Sequence, residues 1–312
     1  MGLIRFFPVT TIPFMRWTVI TAPVAIVLSV LSIVLFLTAG LNTGIDFRGG
    51  AEIEMRTLAG PADLADIRTI LDELSLGEVQ VVEFGAPNDV LIRVQRQEGG
   101  DEAQQRVILL VQDAFGDTVE FRRTEVVGPR VSGELARNGI LGVAAALAGV
   151  LAYLWFRFEW RYAVGAVVTT LADVVLTVGL FAALQLDFNL SSIAAILTIV
   201  GYSLNDTVVV YDRIRDNLKK HEEMPLKRLI DLSINDTLSR TTMTSATTLL
   251  ALVALYVFGG AVIGTFVLAM IWGVLVGTLS SIFIAAPLLI LLGLKPSSRR
   301  RAGRPPARSV AT

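Results

Sequence analysis

Residues 190–211 read LSSIAAILTIVGYSLNDTVVVY. A helix needs about 20 mostly apolar residues to cross the hydrocarbon core of a bilayer, and this run supplies them while carrying Asn205 and Asp206 in its second half. An ionisable group costs several kcal/mol at that depth, so Asp206 must face a protein interior and is a functional candidate by default. At a helical repeat, Ala194, Thr198, Tyr202 and Asp206 form one row, with Asn205 beside it. Asp212 follows about one and a half turns further on and opens a charged run.

Working outward, five further stretches have the length and apolarity of spans: 18–39, 138–156, 162–184, 240–258 and 264–292. The first competes with a cleaved signal peptide, because Arg5 and Arg16 precede it and small residues end it. Its apolar run exceeds a signal core, and further spans follow. Basic residues of short loops favour the cytoplasm, and they cluster in 1–17, at Arg157 and Arg161, in the loop 212–239 and in the tail 293–312. The turns 185–189 and 259–263 carry no Lys or Arg. Both termini are therefore expected in the cytoplasm, and 293–312, basic and rich in Pro and Ala, is expected to be disordered.

Between the first and second spans, residues 41–137 hold eighteen acidic and ten basic residues. Alternation predicts strands at 51–57, 79–84, 90–95 and 118–127, and helical periodicity marks 63–74 and 102–115. The order β-α-β-β-α-β predicts a ferredoxin-like split βαβ unit on the periplasmic side, with Pro87-Asn88-Asp89 as a hairpin turn. The expected architecture is an α-helical membrane protein of six spans with this small α/β domain inserted after the first.

Composition agrees: the chain is 53% hydrophobic and 18% charged over 312 residues, with a net charge of −1, too apolar for a water-soluble protein of this size. It has no cysteine, and its single histidine is His221. Disulfides, thiol chemistry and Cys- or His-based metal sites are thereby excluded, and no cofactor or metal is called for. There is no phosphate loop and no nucleophile–base pair, so an enzyme is not expected, and nothing asks for nucleic acid.

Other polar groups lie inside the spans. Gly165, Thr169, Asp173 and Thr177 repeat every four residues on the third, where Asp173 either supports a proton site or pairs with hydroxyls of the fifth. The fifth begins RTTMTSATT at Arg240, and its hydroxyls can bond back to carbonyls one turn earlier. Arg240 stays charged and needs an anion, headgroup or water. Two readings of it are open, a structural ion pair with snorkelling and a partner of Asp206 in a proton site. Burial favours a carboxyl's neutral form and a nearby Arg its charged form, so small changes in separation can load or release a proton. Small-residue stripes at Gly273, Gly277, Ser281 and Ala285, and at Gly142 and Ala146, predict close helix packing.

Several motifs resemble one family, SecF of the bacterial Sec export system, within the resistance-nodulation-division superfamily. They are Gly44-Ile45-Asp46-Phe47-Arg48-Gly49-Gly50, Val127-Gly128-Pro129 with Glu134-Leu135, the run from Gly201 through Asn205-Asp206 to Asp212 and Asn217, Ser239-Arg240-Thr241-Thr242, and Phe258-Gly259-Gly260. The resemblance implies a multi-pass protein of the bacterial inner membrane that forms a twelve-span body with SecD beside the SecYEG channel and uses the proton gradient to assist late steps of preprotein translocation. It implies SecA, YajC, YidC, the preprotein and membrane lipid as further partners. Asp206, Asn205 and Arg240 become the expected proton-responsive cluster, with Asp173 and Asp212 as further relay candidates. Asp46, Phe47, Gly49, Gly50, Gly128 and Pro129 become structural motif residues, the first four in a turn in which Asp46 bonds to backbone. Ala172 departs from the family's frequent His before the third-span Asp, which weakens a His–Asp relay there. With one six-span unit, SecD is expected on another polypeptide. A scaffold without proton traffic and a small-molecule exporter are the competing readings.

Overall fold

The computed structural model describes residues 10–294, so residues 1–9 of the expected N-terminal segment and 295–312 of the expected tail lie outside it. Helix α1 (Phe14–Ala39) leads through β1 (Asn42–Thr43) and the single turn α2 (Ile45–Arg48) into the inserted domain. That domain comprises β2 (Gly50–Thr57), α3 (Leu64–Glu73), β3 (Val79–Phe84), β4 (Ala86–Gln95), α4 (Asp101–Phe115) and β5 (Val119–Val127). The chain continues as α5 (Pro129–Arg157), α6 (Trp160–Leu184), β6 (Asp187–Phe188), α7 (Leu190–Lys220), α8 (Leu226–Phe258), α9 (Ala261–Ser280), a π-helical turn (Ser281–Ala285) and α10 (Ala286–Leu291). By length and composition, α1, α5, α6, α7, α8 and the continuous α9–α10 are long and apolar enough to cross a membrane.

The four domain strands pair antiparallel in the order β3-β4-β2-β5. Ala51, Ile53, Met55, Val90, Ile92 and Val94 point to one face, where they bury against Ile67 and Leu71 of α3 and Val107 and Val111 of α4. Both helices therefore cover the same face. Helix α3 starts where the Asp63 side chain accepts from the N–H groups of Ala65 and Asp66.

Three sequence expectations change. The hairpin does not turn at Pro87-Asn88-Asp89, because β4 already runs extended from Ala86 and the reversal falls at Gly85 (φ 90°). Asp89 pairs across with Arg56 of β2, accepting from its Nε at 2.5 Å and a terminal nitrogen at 2.7 Å, and the Pro87 carbonyl accepts from Ala62 N–H at 2.9 Å. Those cross-links hold 87–89 in the strand. The Gly44–Gly50 segment is not a plain turn either, since Ile45–Arg48 form one helical turn before β2. The loop 212–239 is largely helix: α7 runs to Lys220 and α8 begins at Leu226.

Two apolar clusters lie in the spans. One gathers Phe14, Met15, Leu154, Phe158, Tyr162, Tyr211, Ile230 and Leu289, and the other gathers Phe181, Ala195, Ile199, Ala269 and Met270. Helix α1 has no capping side chain of its own. Asp231 of α8 supplies one, accepting from Met15 N–H at 2.8 Å, and Asn235 accepts from Ile12 N–H at 3.0 Å.

Candidate functional site

The small residues of α9 set the geometry of the interior. A Cβ on Gly273 would lie 2.2 Å from Ile199, and one on Gly277 3.1 Å from Ser203, so α9 packs directly on α7 as its small-residue stripe requires. The continuation of that stripe is buried too, with Ser281 and Ala285 fully inside. The stripe of α5 behaves differently: Gly142 is exposed with no neighbour within 4 Å, and the close approach is at Gly139, against Ile193.

The α7–α9 contact brings Asp173 of α6 between two serines. Its Oδ2 accepts from Ser203 of α7, and from Ser280 of α9 at 2.9 Å, while Oδ1 is buried without a partner among the described residues. Asp173, Thr169 and Thr177 are wholly buried, and each threonine bonds back to the carbonyl four residues earlier at 2.8 Å. Asp173 thus ties α6, α7 and α9 together, and its partners come from the fourth and sixth spans rather than the fifth. Ser280 ends the α-helical run just before the π-turn. Pro287 lacks an N–H and crowds the carbonyl of Phe283, which loosens the helix at that point. The Ala285 carbonyl accepts from Tyr211 Oη at 2.9 Å, and Gly165 leaves the room for that hydroxyl.

Asp206 lies three residues beyond Ser203 on the same face of α7, about 4.5 Å along the axis. It is 2% exposed, and its Oδ2 is buried without a partner among the described residues. Hydroxyls of Thr170, Thr207 and Thr241 are buried and unpartnered in the same way. Arg240 is exposed and makes no ion pair within 4.0 Å among the described residues. Asn205 is exposed and does not join Asp206 on the buried face. The buried row of α7 is Ala195, Ile199, Ser203 and Asp206, one position round from the row read in the sequence. Asp212 lies on the surface, half-exposed and 3.4 Å from Arg157 of α5. A hydroxyl chain joins three spans, with Tyr202 Oη donating to Ser245 at 3.2 Å and Ser245 2.7 Å from Thr278. The fifth-span hydroxyls bond back as expected, Thr244 to Arg240 O and Thr248 to Thr244 O at 2.9 Å each.

A second constellation joins the inserted domain to the spans. Asn42 and Thr43 pair in parallel with Asp187 and Phe188, between α6 and α7. Asp46 Oδ2 accepts from Leu190 N–H at 2.9 Å, so it bonds to the first backbone donor of α7 rather than within its own turn. Phe47 stacks on Phe188 at 5.7 Å. Gly49 and Gly50 sit at φ 73° and 134°, and a Cβ on Gly50 would be 2.4 Å from the Val94 carbonyl, so neither accepts a larger residue without strain. Gly128 precedes α5 and Pro129 opens it, where a missing N–H costs nothing. Arg93, on the sheet face the helices leave open, donates to Glu52 at 2.7 Å and to both oxygens of Asp187 at 2.7 and 2.6 Å. Sequence reading missed Ser203, Ser280, Arg93 and Asp187. Only Ser280 carries a local signal, its place next to the small-residue stripe.

Among the described residues no three His, Cys, Asp or Glu side chains gather as a metal site. Two family models match the chain: "Protein export membrane protein SecD/SecF, C-terminal" over residues 108–295, and "SecD/SecF GG Motif" over residues 34–57. The protein translocase subunit SecF of Rhodobacter capsulatus is 44% identical, over 94% of this chain and 92% of that protein. The protein translocase subunit SecDF of Brucella abortus is 48% identical over 92% of this chain, which spans 38% of that longer protein. A solved structure of SecDF, a translocon-associated membrane protein from Thermus thermophilus, superposes with a TM-score of 0.82 at 33% identity, over 94% of this chain and 40% of that one.

Proposed function

The chain belongs to the SecD/SecF family of protein export membrane proteins, and on that premise we propose that it is a subunit of the Sec export machinery that works with SecD and uses the proton gradient to assist late steps of translocation through SecYEG. The observation that carries the proton part is Asp206. A carboxylate that is 2% exposed, with one oxygen unpartnered and no ion pair within 4.0 Å among the described residues, is costly in its charged form. A proton relieves that cost, and an approach of Arg240 restores the charge. Asp173 of α6 supports the site through Ser203, which donates to it and lies three residues before Asp206 on the buried face of α7. Asn205 and Asp212, both away from this interior, are relay candidates only at its edge.

A partner at the α7–α8 face follows from exposure. Thr198, Asn205, Arg240 and Thr247 are exposed on this chain alone, and a polar row within a span does not face lipid. SecD is the proposed cover. The inserted domain is read as ferredoxin-like, from the strand order and the two helices on one face, and as extracytoplasmic in the bacterial inner membrane. Supporting that orientation, basic Arg16, Arg157 and Arg161 cluster at the ends of α1, α5 and α6 away from the domain, where exposed Trp17, Trp155 and Trp160 mark an interface.

The test is export of a reporter preprotein in vesicles with and without a proton gradient. Asp206→Asn and Arg240→Met are expected to abolish the gradient-dependent part while the complex with SecD still assembles. Full gradient stimulation in both variants would leave the scaffold reading in its place.

A further inference from the structure

A cavity of about 360 Å³ opens at the junction between the domain and the spans. It is lined by α2 and β1 on one side and by the open face of the sheet on the other, with Arg48, Arg93 and Arg96 around it and Glu78 at its edge. Arg93 is already committed to Glu52 and Asp187. The other two are not. Arg48 donates through Nε to Thr43 at 2.6 Å, which fixes its stem, and its two terminal nitrogens have no partner among the described residues. Arg96 makes no ion pair among them. Its stem lies over the motif glycine: a Cβ on Gly49 would be 3.7 Å from Arg96 Cδ. Two uncommitted guanidinium groups thus line one cavity beside the motif glycines, a lining that suits a phosphate.

We propose that this cavity binds the phosphate of an anionic phospholipid headgroup. The place decides for a lipid over a free anion. Thr43 lies four residues past the end of α1, and β1 pairs with the turn between α6 and α7, so the cavity sits where three spans end, at the level of headgroups. Helix α1, which ends four residues before Thr43, shows Val34 and Leu37 to the outside near that end, 46% and 74% exposed, an apolar surface for acyl chains. Ile45, also in the lining, adds an apolar surface beside the guanidinium groups. The proposal rests on the chain spanning a membrane and is independent of Asp206, since none of its residues touches that site.

The experiment uses the purified chain with SecD in mild detergent, titrated with phosphatidylglycerol or phosphatidylcholine and read by native mass spectrometry. The wild type should retain one phosphatidylglycerol in preference to phosphatidylcholine. Arg48→Gln with Arg96→Gln should cut that retention about 30-fold, the weight of two basic residues near a membrane surface. Glu78→Gln, which removes the one carboxylate at the rim, should strengthen it, so the claim stays testable even where the double variant accumulates poorly. Millimolar inorganic phosphate should leave the lipid bound. Equal retention by wild type and double variant would overturn the site, and displacement of the lipid by inorganic phosphate would overturn its assignment to lipid.

Discussion

Replacing Arg93 by Met should loosen the hold of the inserted domain on the spans without unfolding the domain. Burial works against the Arg93 charge, but the bonds from Asp187 and Glu52 outweigh it and raise its pKa further, so the guanidinium is charged at every working pH. Its side chain is 16% exposed, Glu52 21% and Asp187 30%. Breaking one partner of a buried pair costs about 3–5 kcal/mol, whereas exposed pairs contribute about 0.2–1. Part of the loss here is recovered, because Asp187 keeps Asn42 Nδ2 at 2.9 Å and can turn to water. About 2 kcal/mol is the reasonable middle for this half-buried bidentate pair. The readout is amide hydrogen exchange at Gly44, whose N–H donates to the Phe188 carbonyl at 2.8 Å across the junction. At about 1.4 kcal/mol per factor of ten, its exchange should quicken about 30-fold in Arg93→Met. Asp187→Asn should act less, since Arg93 retains Glu52, and the double variant should fall well short of the sum of the two. Amides of β2 and β4 act as the control and should not change. Exchange at Gly44 within a factor of two of wild type, or an equal rise through β2 and β4, would refute the junction argument.

Gly50→Ala should prevent the domain from forming its sheet. A φ of 134° costs an alanine about 1–3 kcal/mol, and its Cβ would meet the Val94 backbone carbonyl at 2.4 Å, which only separation of β2 from β4 relieves. Limited proteolysis within residues 50–127 checks this, and a protease-resistant variant would count against it. Asp89 should make the domain acid-sensitive. Its bond to Arg56 is the main cause holding its pKa below the ordinary carboxylate value, with Arg122 at 3.8 Å adding to it. Because the folded value is the lower one, the contribution is complete above the unfolded pKa near about 4 and is lost as pH falls through the depressed folded value. The melting temperature of the domain should drop across that window in the wild type and less steeply in Asp89→Asn.

Six spans and the β-α-β-β-α-β order were legible because each rests on a local period, 3.6 residues in helices and 2 in strands. The buried face of α7 was not. Polarity alone selects the row Thr198, Tyr202 and Asp206, but contact is decided by where Gly273 and Gly277 let α9 approach, and that puts Ser203 inside and Asn205 outside. The pairing of Asp173 with Ser280 bridges 107 positions and that of Arg93 with Asp187 bridges 94. No periodicity encodes either. The misplaced hairpin has a similar origin: Pro-Asn-Asp is strong turn chemistry, overruled here by the cross-strand bond of Asp89 to Arg56.

Both constellations converge on α7. Its first N–H is held by Asp46 and its adjoining turn by Phe47 on Phe188, while Ser203 and Asp206 lie 13 and 16 residues further on. At 1.5 Å per residue those groups are about 20 and 24 Å from the end that carries the domain, where a unit charge acts with less than about 1 kcal/mol at an effective dielectric of about 20. The helix itself is the link. It is unbroken from Leu190 to Lys220 and capped at its N-terminus by a capping box between Asn189 and Ser192. Any shift of α7 that brings Asp206 toward Arg240 therefore moves Leu190 and the β1–β6 bridge with it, while α9, seated on Gly273 and Gly277, resists sliding but has a softer π-turn beside Ser280. A proton exchanged at Asp206 reaches the domain in this scheme as a displacement rather than as a field. Arg93→Met would then uncouple the two ends: gradient-stimulated export should fall while Asp206 and its surroundings stay intact, a result that a purely electrostatic link would not produce.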